Sequence, residues 1–96
     1  YIIFHQANKY IISNIARRLS FPIEKTPLST TGTYGNQSSA SIPCTINDSI
    51  NAEVSSKKLK LIFSGFGVGL SWATCQVSLD KIYCPDVIIF KEENAK

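Results

Sequence analysis

Apolar residues follow two different spacings near the start of the chain, and each spacing predicts one element. Tyr1 to Phe4 form a continuous apolar run, which is typical of a strand buried on both faces of a sheet. Asn8 follows and is a suitable helix cap. Beyond it, apolar residues recur at one-, three- and four-residue spacings, at Ile11, Ile12, Ile15 and Leu19. This spacing predicts an amphipathic helix that begins after Asn8.

The middle of the chain is predicted to be a loop followed by a second helix. Residues 20–35 are rich in Ser, Thr, Pro and Gly, and such a composition favours loops. A short strand over 26–30 is an open alternative, although Pro27 argues against a central position in a sheet. The second helix is predicted from Ser39 to about Val54, with Pro43 in its first turn.

The pattern in the last part of the chain predicts an antiparallel hairpin. An apolar strand over 59–63 leads to a glycine-rich turn over 65–69 and to a third strand over 70–79, with Trp72 expected in the core. The tail, residues 81–96, contains the apolar run 87–90, which is a candidate edge strand. The whole pattern predicts an α/β fold in which two helices pack on a mixed sheet of about four strands.

Composition narrows the class of protein without identifying it. The 96 residues suffice for one domain or part of one, and 44% of them are hydrophobic against 18% charged, as in ordinary globular proteins. The net charge of +3 is too small to indicate a nucleic-acid-binding protein. It fits a solvated surface, or a weak preference for an anionic partner such as a phosphorylated carrier protein or coenzyme A.

Cysteine usage and hydropathy point to a cytoplasmic protein. Three cysteines at positions 44, 75 and 84 form neither an even set nor a metal-binding spacing, so we expect reduced thiols and no metal. Nothing approaches the about 18 to 20 consecutive apolar residues of a membrane span. Because an apolar strand opens the chain, we also expect a fragment whose first strand pairs with residues upstream of Tyr1.

Polar residues suited to catalysis lie at three element ends. His5 follows the first strand, Asn36 precedes the second helix, and the glycine-rich turn joins the last two strands. A histidine and an asparagine that meet across neighbouring loops present two N–H donors, which is the composition of an oxyanion hole. Considered alone, His5 is more often a core histidine, and Asn36 a turn or cap residue.

Three runs in this order resemble the C-terminal signatures of the β-ketoacyl-acyl-carrier-protein synthase III family, which has a thiolase-like fold. They are Phe4-His5-Gln6-Ala7-Asn8, the ten residues from Tyr34-Gly35-Asn36 to Pro43, and Gly65-Phe66-Gly67-Val68-Gly69-Leu70-Ser71-Trp72. The resemblance covers residues 1–80 and implies the C-terminal half of such a synthase. It implies decarboxylative condensation of an acyl thioester with a malonyl thioester in fatty acid biosynthesis.

The resemblance also assigns roles to residues of this chain. His5 and Asn36 correspond to two of the three catalytic residues, while Phe66 and Gly67 correspond to walls of the substrate pocket. The third catalytic residue, a cysteine, is expected upstream, so this chain alone is expected to be inactive. Cys44 is the single tempting substitute, because it lies at a predicted helix start.

The partners implied are acyl carrier protein or coenzyme A thioesters, the N-terminal half of the same protein and a second copy in a homodimer. No cofactor, metal, nucleic acid or membrane is implied. This sequence departs from the family pattern at two places. Lys9-Tyr10 occupies the place where relatives often have a docking arginine, and Val68 replaces a common glycine. The competing hypothesis is a non-catalytic module that binds a carrier protein or another subunit.

Overall fold

Seven helices and strands, with two single 3₁₀ turns, make up the computed structural model, which describes residues 1–67, 69 and 71–88. The strands are β1 (Ile2–Phe4), β2 (Lys58–Gly67) and β3 (Ser71–Asp80). The helices are α1 (Lys9–Arg18), α2 (Thr30–Tyr34), α3 (Ser41–Ser49) and α4 (Asn51–Ser56). The 3₁₀ turns cover Ile23–Lys25 and Ser38–Ala40.

The strands form one mixed sheet in the order β1-β2-β3. β1 is parallel to β2, with Ile3 opposite Phe63, and β2 is antiparallel to β3. The α/β class and the mixed sheet are confirmed. Three strands lie within the described residues, against about four predicted, and Val87 and Ile88 are not in a strand. The remainder of the predicted edge strand, residues 89–90, lies outside the described residues.

β1 is buried on both faces, as its uninterrupted apolar run predicts. Ile3 is fully buried and packs on one side of the sheet against Ile50, Val54 and Leu61. Its neighbours Ile2 and Phe4 point to the other side, where they pack against Ile12 of α1. Burying a side chain of this size contributes about 1.5–3 kcal/mol. The two clusters therefore fix β1 between α1 on one face and α3 and α4 on the other.

Helix α1 begins where the sequence predicts. The Oδ1 atom of Asn8 accepts a hydrogen bond from the backbone N–H of Ile11 at 2.8 Å, which satisfies one of the free donors at the helix start. Ile12 and Ala16 are buried on the inner face, and Arg17 and Arg18 lie in the last turn. Cations at this end interact favourably with the helix dipole.

The prediction of one continuous second helix was wrong. α3 ends at Ser49 and α4 begins at Asn51, because Ile50 adopts a non-helical backbone with φ −132° and ψ 20°. The residues before the break are Asn47, Asp48 and Ser49, and such side chains compete with the helix for backbone hydrogen bonds. At the break the Ile50 side chain is buried against Ile3 and Leu61. Local sequence and core packing thus favour the same interruption.

The loop over 20–35 is more ordered than its composition suggests. It contains α2 (Thr30–Tyr34) instead of the strand considered over 26–30. Gly35 ends this helix with φ +76° and ψ −168°, a conformation available almost only to glycine. The chain therefore turns sharply immediately before Asn36.

The hairpin differs from the prediction in the extent of its turn and in the position of Trp72. Gly65 and Gly67 belong to β2 and pair with Ala73 and Ser71, so β2 is longer and the turn is shorter than predicted, while β3 has the predicted length. Trp72 is 75% exposed, so its assignment to the core was wrong. The physical reason is that β3 is the outermost strand of the described sheet and no described element covers it there.

Candidate active site

A cavity of about 830 Å³ opens where β1 and β2 end. Because these two strands are parallel, their carboxyl ends meet at one edge of the sheet, and sites in open α/β sheets lie at such edges. All four candidate site residues line this cavity, namely His5, Asn36, Phe66 and Gly67. The remaining lining comes from the loops and the start of α3: Ala7, Ser38, Ser39, Ser41, Ile42 and Gly65.

The His5 side chain is held from two directions. Its backbone N–H donates to the carbonyl of Ser64 at 2.9 Å, which continues the pairing of β1 with β2. Its Nδ1 atom lies 2.8 Å from the Oγ of Ser41. The ring of Phe66 packs against the imidazole in a T-shaped arrangement, with centroids 5.3 Å apart and an interplanar angle of 88°. Because Nδ1 is engaged by Ser41, Nε2 is the ring nitrogen left for a ligand in the cavity.

Asn36 is oriented by its own turn. Its Oδ1 accepts a hydrogen bond from the backbone N–H of Ser38 at 3.0 Å. A backbone N–H is always a donor, so the facing side-chain atom is the amide oxygen, and the orientation of the amide is settled. Nδ2 carries both amide hydrogens and makes no hydrogen bond to the described residues. Asn36 is exposed and lines the cavity. Its side-chain N–H groups are therefore available to a ligand there.

Two buried polar residues support this region, and sequence reasoning missed both. Ser41 is 1% exposed, and its Oγ contacts His5 Nδ1, the backbone N–H of Gln6 at 3.3 Å and the carbonyl of Ser38 at 2.8 Å. Ser41 falls within the first turn of the helix predicted from Ser39 and is the first residue of α3 in the structure. The sequence around Ser41 gives no indication that its side chain contacts His5 across the sheet edge.

Gln6 ties the loop after β1 to the segment before α2. Its side chain is fully buried, and Nε2 donates to the carbonyls of Phe4 at 2.9 Å and Pro27 at 3.3 Å. The backbone carbonyl of Gln6 accepts a hydrogen bond from the Oγ1 hydroxyl of Thr31 at 3.2 Å. The bonds to Pro27 and Thr31 connect segments more than 20 residues apart, and all three bonds fix the backbone that immediately follows His5.

The cysteines lie away from the cavity. Among the described residues that line it there is no cysteine. Cys44 is partly buried on α3, Cys75 is exposed on β3 and Cys84 is partly buried beyond β3, and all three are free thiols. The described part of the chain also brings no three His, Cys, Asp or Glu side chains together in a metal-binding arrangement. No helix within the described ranges is long and apolar enough to cross a membrane.

Comparison with known protein families identifies the family of this chain. The family model described as 3-Oxoacyl-[acyl-carrier-protein (ACP)] synthase III C terminal matches residues 1–79. The chain belongs to this family. The resemblance inferred from the three sequence runs is thereby confirmed, and the mixed sheet with its flanking helices is the C-terminal part of the thiolase-like synthase fold.

Curated relatives and a solved structure agree with this assignment to the synthase III family. The chain is 38% identical over 74 residues to a chloroplastic beta-ketoacyl-[acyl-carrier-protein] synthase III from Arabidopsis thaliana, covering 77% of the chain and 18% of the relative. It is 42% identical over 78 residues to a synthase III from Clostridium perfringens, covering 81% of the chain and 24% of the relative. A 3-oxoacyl-(acyl-carrier protein) synthase crystal structure from Burkholderia xenovorans LB400 superposes with a TM-score of 0.83 at 33% identity, covering 90% of the chain and 25% of that protein. The chain thus spans a quarter or less of the length of these synthases.

Proposed function

We propose that the protein carrying this chain is an acyltransferase that condenses an acyl thioester with a malonyl thioester, with loss of carbon dioxide, in fatty acid biosynthesis. The observation that carries the proposal is that His5 and Asn36 line one cavity, and that Nε2 of His5 and Nδ2 of Asn36 make no hydrogen bond to the described residues. Family membership and the names of the relatives support the general activity. The roles of individual residues are part of the proposal.

In the proposed reaction, the bond between the malonyl carboxylate and the α-carbon breaks, and carbon dioxide leaves. The electron pair of that bond moves to the thioester oxygen, which becomes an enolate. Nε2–H of His5 and Nδ2–H of Asn36 donate to this oxygen and stabilise its charge. The enolate carbon then attacks the acyl group carried on a cysteine thioester, and the cysteine sulfur leaves as a thiolate. Loss of one such donor typically costs about 3–4 kcal/mol, or about 10²–10³ in kcat.

We place the nucleophilic cysteine upstream of this chain, because no cavity-lining cysteine occurs in the described residues. This chain alone is accordingly expected to be inactive. Phe66 and Gly67 are proposed as walls of the substrate pocket, and Phe66 also holds the imidazole of His5 by its edge contact. The thioesters are proposed to arrive on acyl carrier protein or coenzyme A. A cytoplasmic homodimer that needs no metal or cofactor is the proposed form of the full-length protein.

The test separates acylation from decarboxylation in the full-length protein. With His5→Ala, mass spectrometry is expected to show normal acylation of the nucleophilic cysteine. Release of carbon dioxide from the malonyl thioester is expected to fall by about 10²–10³, because one donor to the enolate oxygen is gone. Asn14→Ala, on α1 and outside the residues that line the cavity, is the control and should behave as wild type.

Unchanged condensation in the His5→Ala protein would overturn the catalytic assignment. That result would favour the alternative, in which this region is a non-catalytic thiolase-like module that binds a carrier protein or another subunit. A protein that no longer acylates its cysteine would also contradict the proposed division of roles between the two halves.

A further inference from the structure

The segment that follows β3 turns back onto the helices instead of extending the sheet. β3 ends at Asp80, and Lys81 has φ +50°, a left-handed conformation that is unfavourable for a residue with a side chain. Such a conformation persists only where surrounding contacts hold it. The contacts of residues 82–86 therefore have to compensate for this turn. These residues lie beyond the family match, which covers residues 1–79.

The segment places alternate side chains on the core. Ile82 and Cys84 are partly buried and pack against the cluster that contains Ile3 and Ile50. Tyr83, between them, is 90% exposed. Alternation of this kind is typical of an extended chain with one face covered. Residues 82–84 are thus laid over the same core that holds β1.

One hydrogen-bonded contact ties the segment to α3, before the helix break at Ile50. The Nδ2 atom of Asn47 donates to the backbone carbonyl of Pro85 and lies 3.7 Å from Sγ of Cys84. A backbone carbonyl can only accept, so the atom that faces it is the amide nitrogen. The two hydrogens of Nδ2 suffice for both neighbours.

Two further contacts tie the segment to α4, after the break. The Nδ2 atom of Asn51 donates to Oδ1 of Asp86 at 2.5 Å. The backbone N–H of Ile82 donates to the carbonyl of Val54 at 3.0 Å. The hydroxyl of Ser55 adds nothing to this connection, because its one proton is donated to the carbonyl of Asn51 at 2.7 Å. The segment therefore bridges the two helices across the break.

The break matters because it lies between the sheet and one wall of the cavity. α3 carries Ser41 and Ile42, which line the cavity, whereas α4 is anchored to the core through Val54. The two helices are joined by Ile50, whose backbone is not helical. A change of direction at this residue would move the α3 wall of the cavity relative to the sheet.

We propose that residues 82–86 form a clasp that locks the α3–α4 break and thereby holds the α3 wall of the cavity in place. The clasp acts by hydrogen bonds to both helices and by two apolar side chains packed on the core beneath them. The locking itself does not depend on any reaction. Its consequence for catalysis rests on the proposed function.

The experiment is hydrogen–deuterium exchange of the full-length protein, followed by mass spectrometry of its peptides. A variant that ends after Asp80 lacks the clasp. Amides over 41–56 are expected to exchange about 10- to 100-fold faster in this variant, the effect of losing a few hydrogen bonds of ordinary strength. Amides of α1 are expected to keep their wild-type rates, because α1 packs on the opposite face of β1.

A second variant keeps the whole tail and removes the two amides that hold it. Asn47→Ala combined with Asn51→Ala should speed exchange over 41–56 by about tenfold. Alanine has the higher helix propensity, so an effect confined to the helices themselves would slow exchange instead. Ser49→Ala is the matched control, since Ser49 lies on α3 and is exposed. It should exchange no faster than wild type.

The double variant decides the proposal, also if the truncated protein does not fold. Unchanged exchange over 41–56 in the double variant would overturn it, and so would an equal rise in α1, which would mean a general loss of stability. Malonyl decarboxylation tests the link to the cavity, and kcat should fall in the double variant but not in Ser49→Ala. Absence of condensation activity in the wild-type protein, with the exchange response intact, would reject the proposed function and leave the clasp standing.

Discussion

The two sides of the cavity are built by different means. His5 follows a strand in which every residue is buried, and its ring is fixed by contacts from α3 and β2. Asn36 lies on an exposed loop, and its amide is fixed by a hydrogen bond to Ser38, two residues away. The position of His5 thus depends on the hydrophobic core and on long-range contacts, whereas that of Asn36 depends on local backbone conformation. Substitutions in the core and in the loop should therefore affect the protein differently.

The largest effect is expected from breaking the core support of β1. Ile3→Ala removes a fully buried side chain that packs against Ile50, Val54 and Leu61, and we expect the free energy of unfolding to fall by about 2–5 kcal/mol. Urea denaturation of the full-length protein measures this change. Ile11→Ala on α1 is the control, since Ile11 is 37% exposed, and it should cost clearly less. Equal losses for the two variants would contradict the view that the core holds the His5 side.

A smaller effect is expected from the loop that carries Asn36. Gly35 has φ +76°, and a Cβ built there meets nothing within 4 Å. Gly35→Ala therefore adds conformational strain without a steric clash, and we expect a loss of about 1–3 kcal/mol. The measurement is again urea denaturation, combined with malonyl decarboxylation as a report on the position of Asn36.

Gly32 provides the matched control for this variant. It lies inside α2, and an added Cβ there also meets nothing within 4 Å. Because alanine is favoured over glycine in helices, Gly32→Ala should stabilise the protein by about 0.5–1 kcal/mol. If both glycine variants changed stability in the same direction, backbone strain at Gly35 would not be the cause.

The same contrast explains which features the sequence alone could predict. β1 and α1 have strong local signals, namely a continuous apolar run and a cap followed by a helical period, and the structure confirms both. The four candidate site residues were found because they lie in recognisable family runs, and the structure brings them to one cavity. Their catalytic roles stay predictions.

Features that depend on distant parts of the chain could not be predicted. The break at Ile50 depends in part on packing against β1 and β2, which local periodicity does not record. Exposure of Trp72 depends on which strand is outermost. Ser41 and Gln6 matter because the fold brings residues 35 positions apart into contact, and neither residue type is unusual at its place in the sequence.

The smallest effect concerns the end of β1 that is farthest from the cavity, where a polar contact supplements the core. The hydroxyl of Tyr1 donates to Oε1 of Glu53 on α4. This bond raises the pKa of Tyr1 from 10.0 to about 12, and the same bond is the main cause that lowers the pKa of Glu53 below its usual 4.5. Tyr1→Phe removes the hydroxyl but keeps the ring, over which the Nζ of Lys25 lies 4.7 Å from the centroid.

We expect Tyr1→Phe to lower the free energy of unfolding by at most about 1 kcal/mol at neutral pH, because the pair is partly exposed to solvent. A tyrosine with a raised pKa in the folded state stabilises below its unfolded pKa. The difference between wild type and variant should therefore disappear as pH rises from 10.0 to about 12. The Glu53 pKa is lowered by folding, so the difference should also shrink as pH falls below 4.5.

Tyr10→Phe on α1, where the side chain is 77% exposed, is the control and should show no such dependence. A Tyr1→Phe difference that persisted unchanged above pH 12 would show that the hydroxyl acts through packing and not through its bond to Glu53.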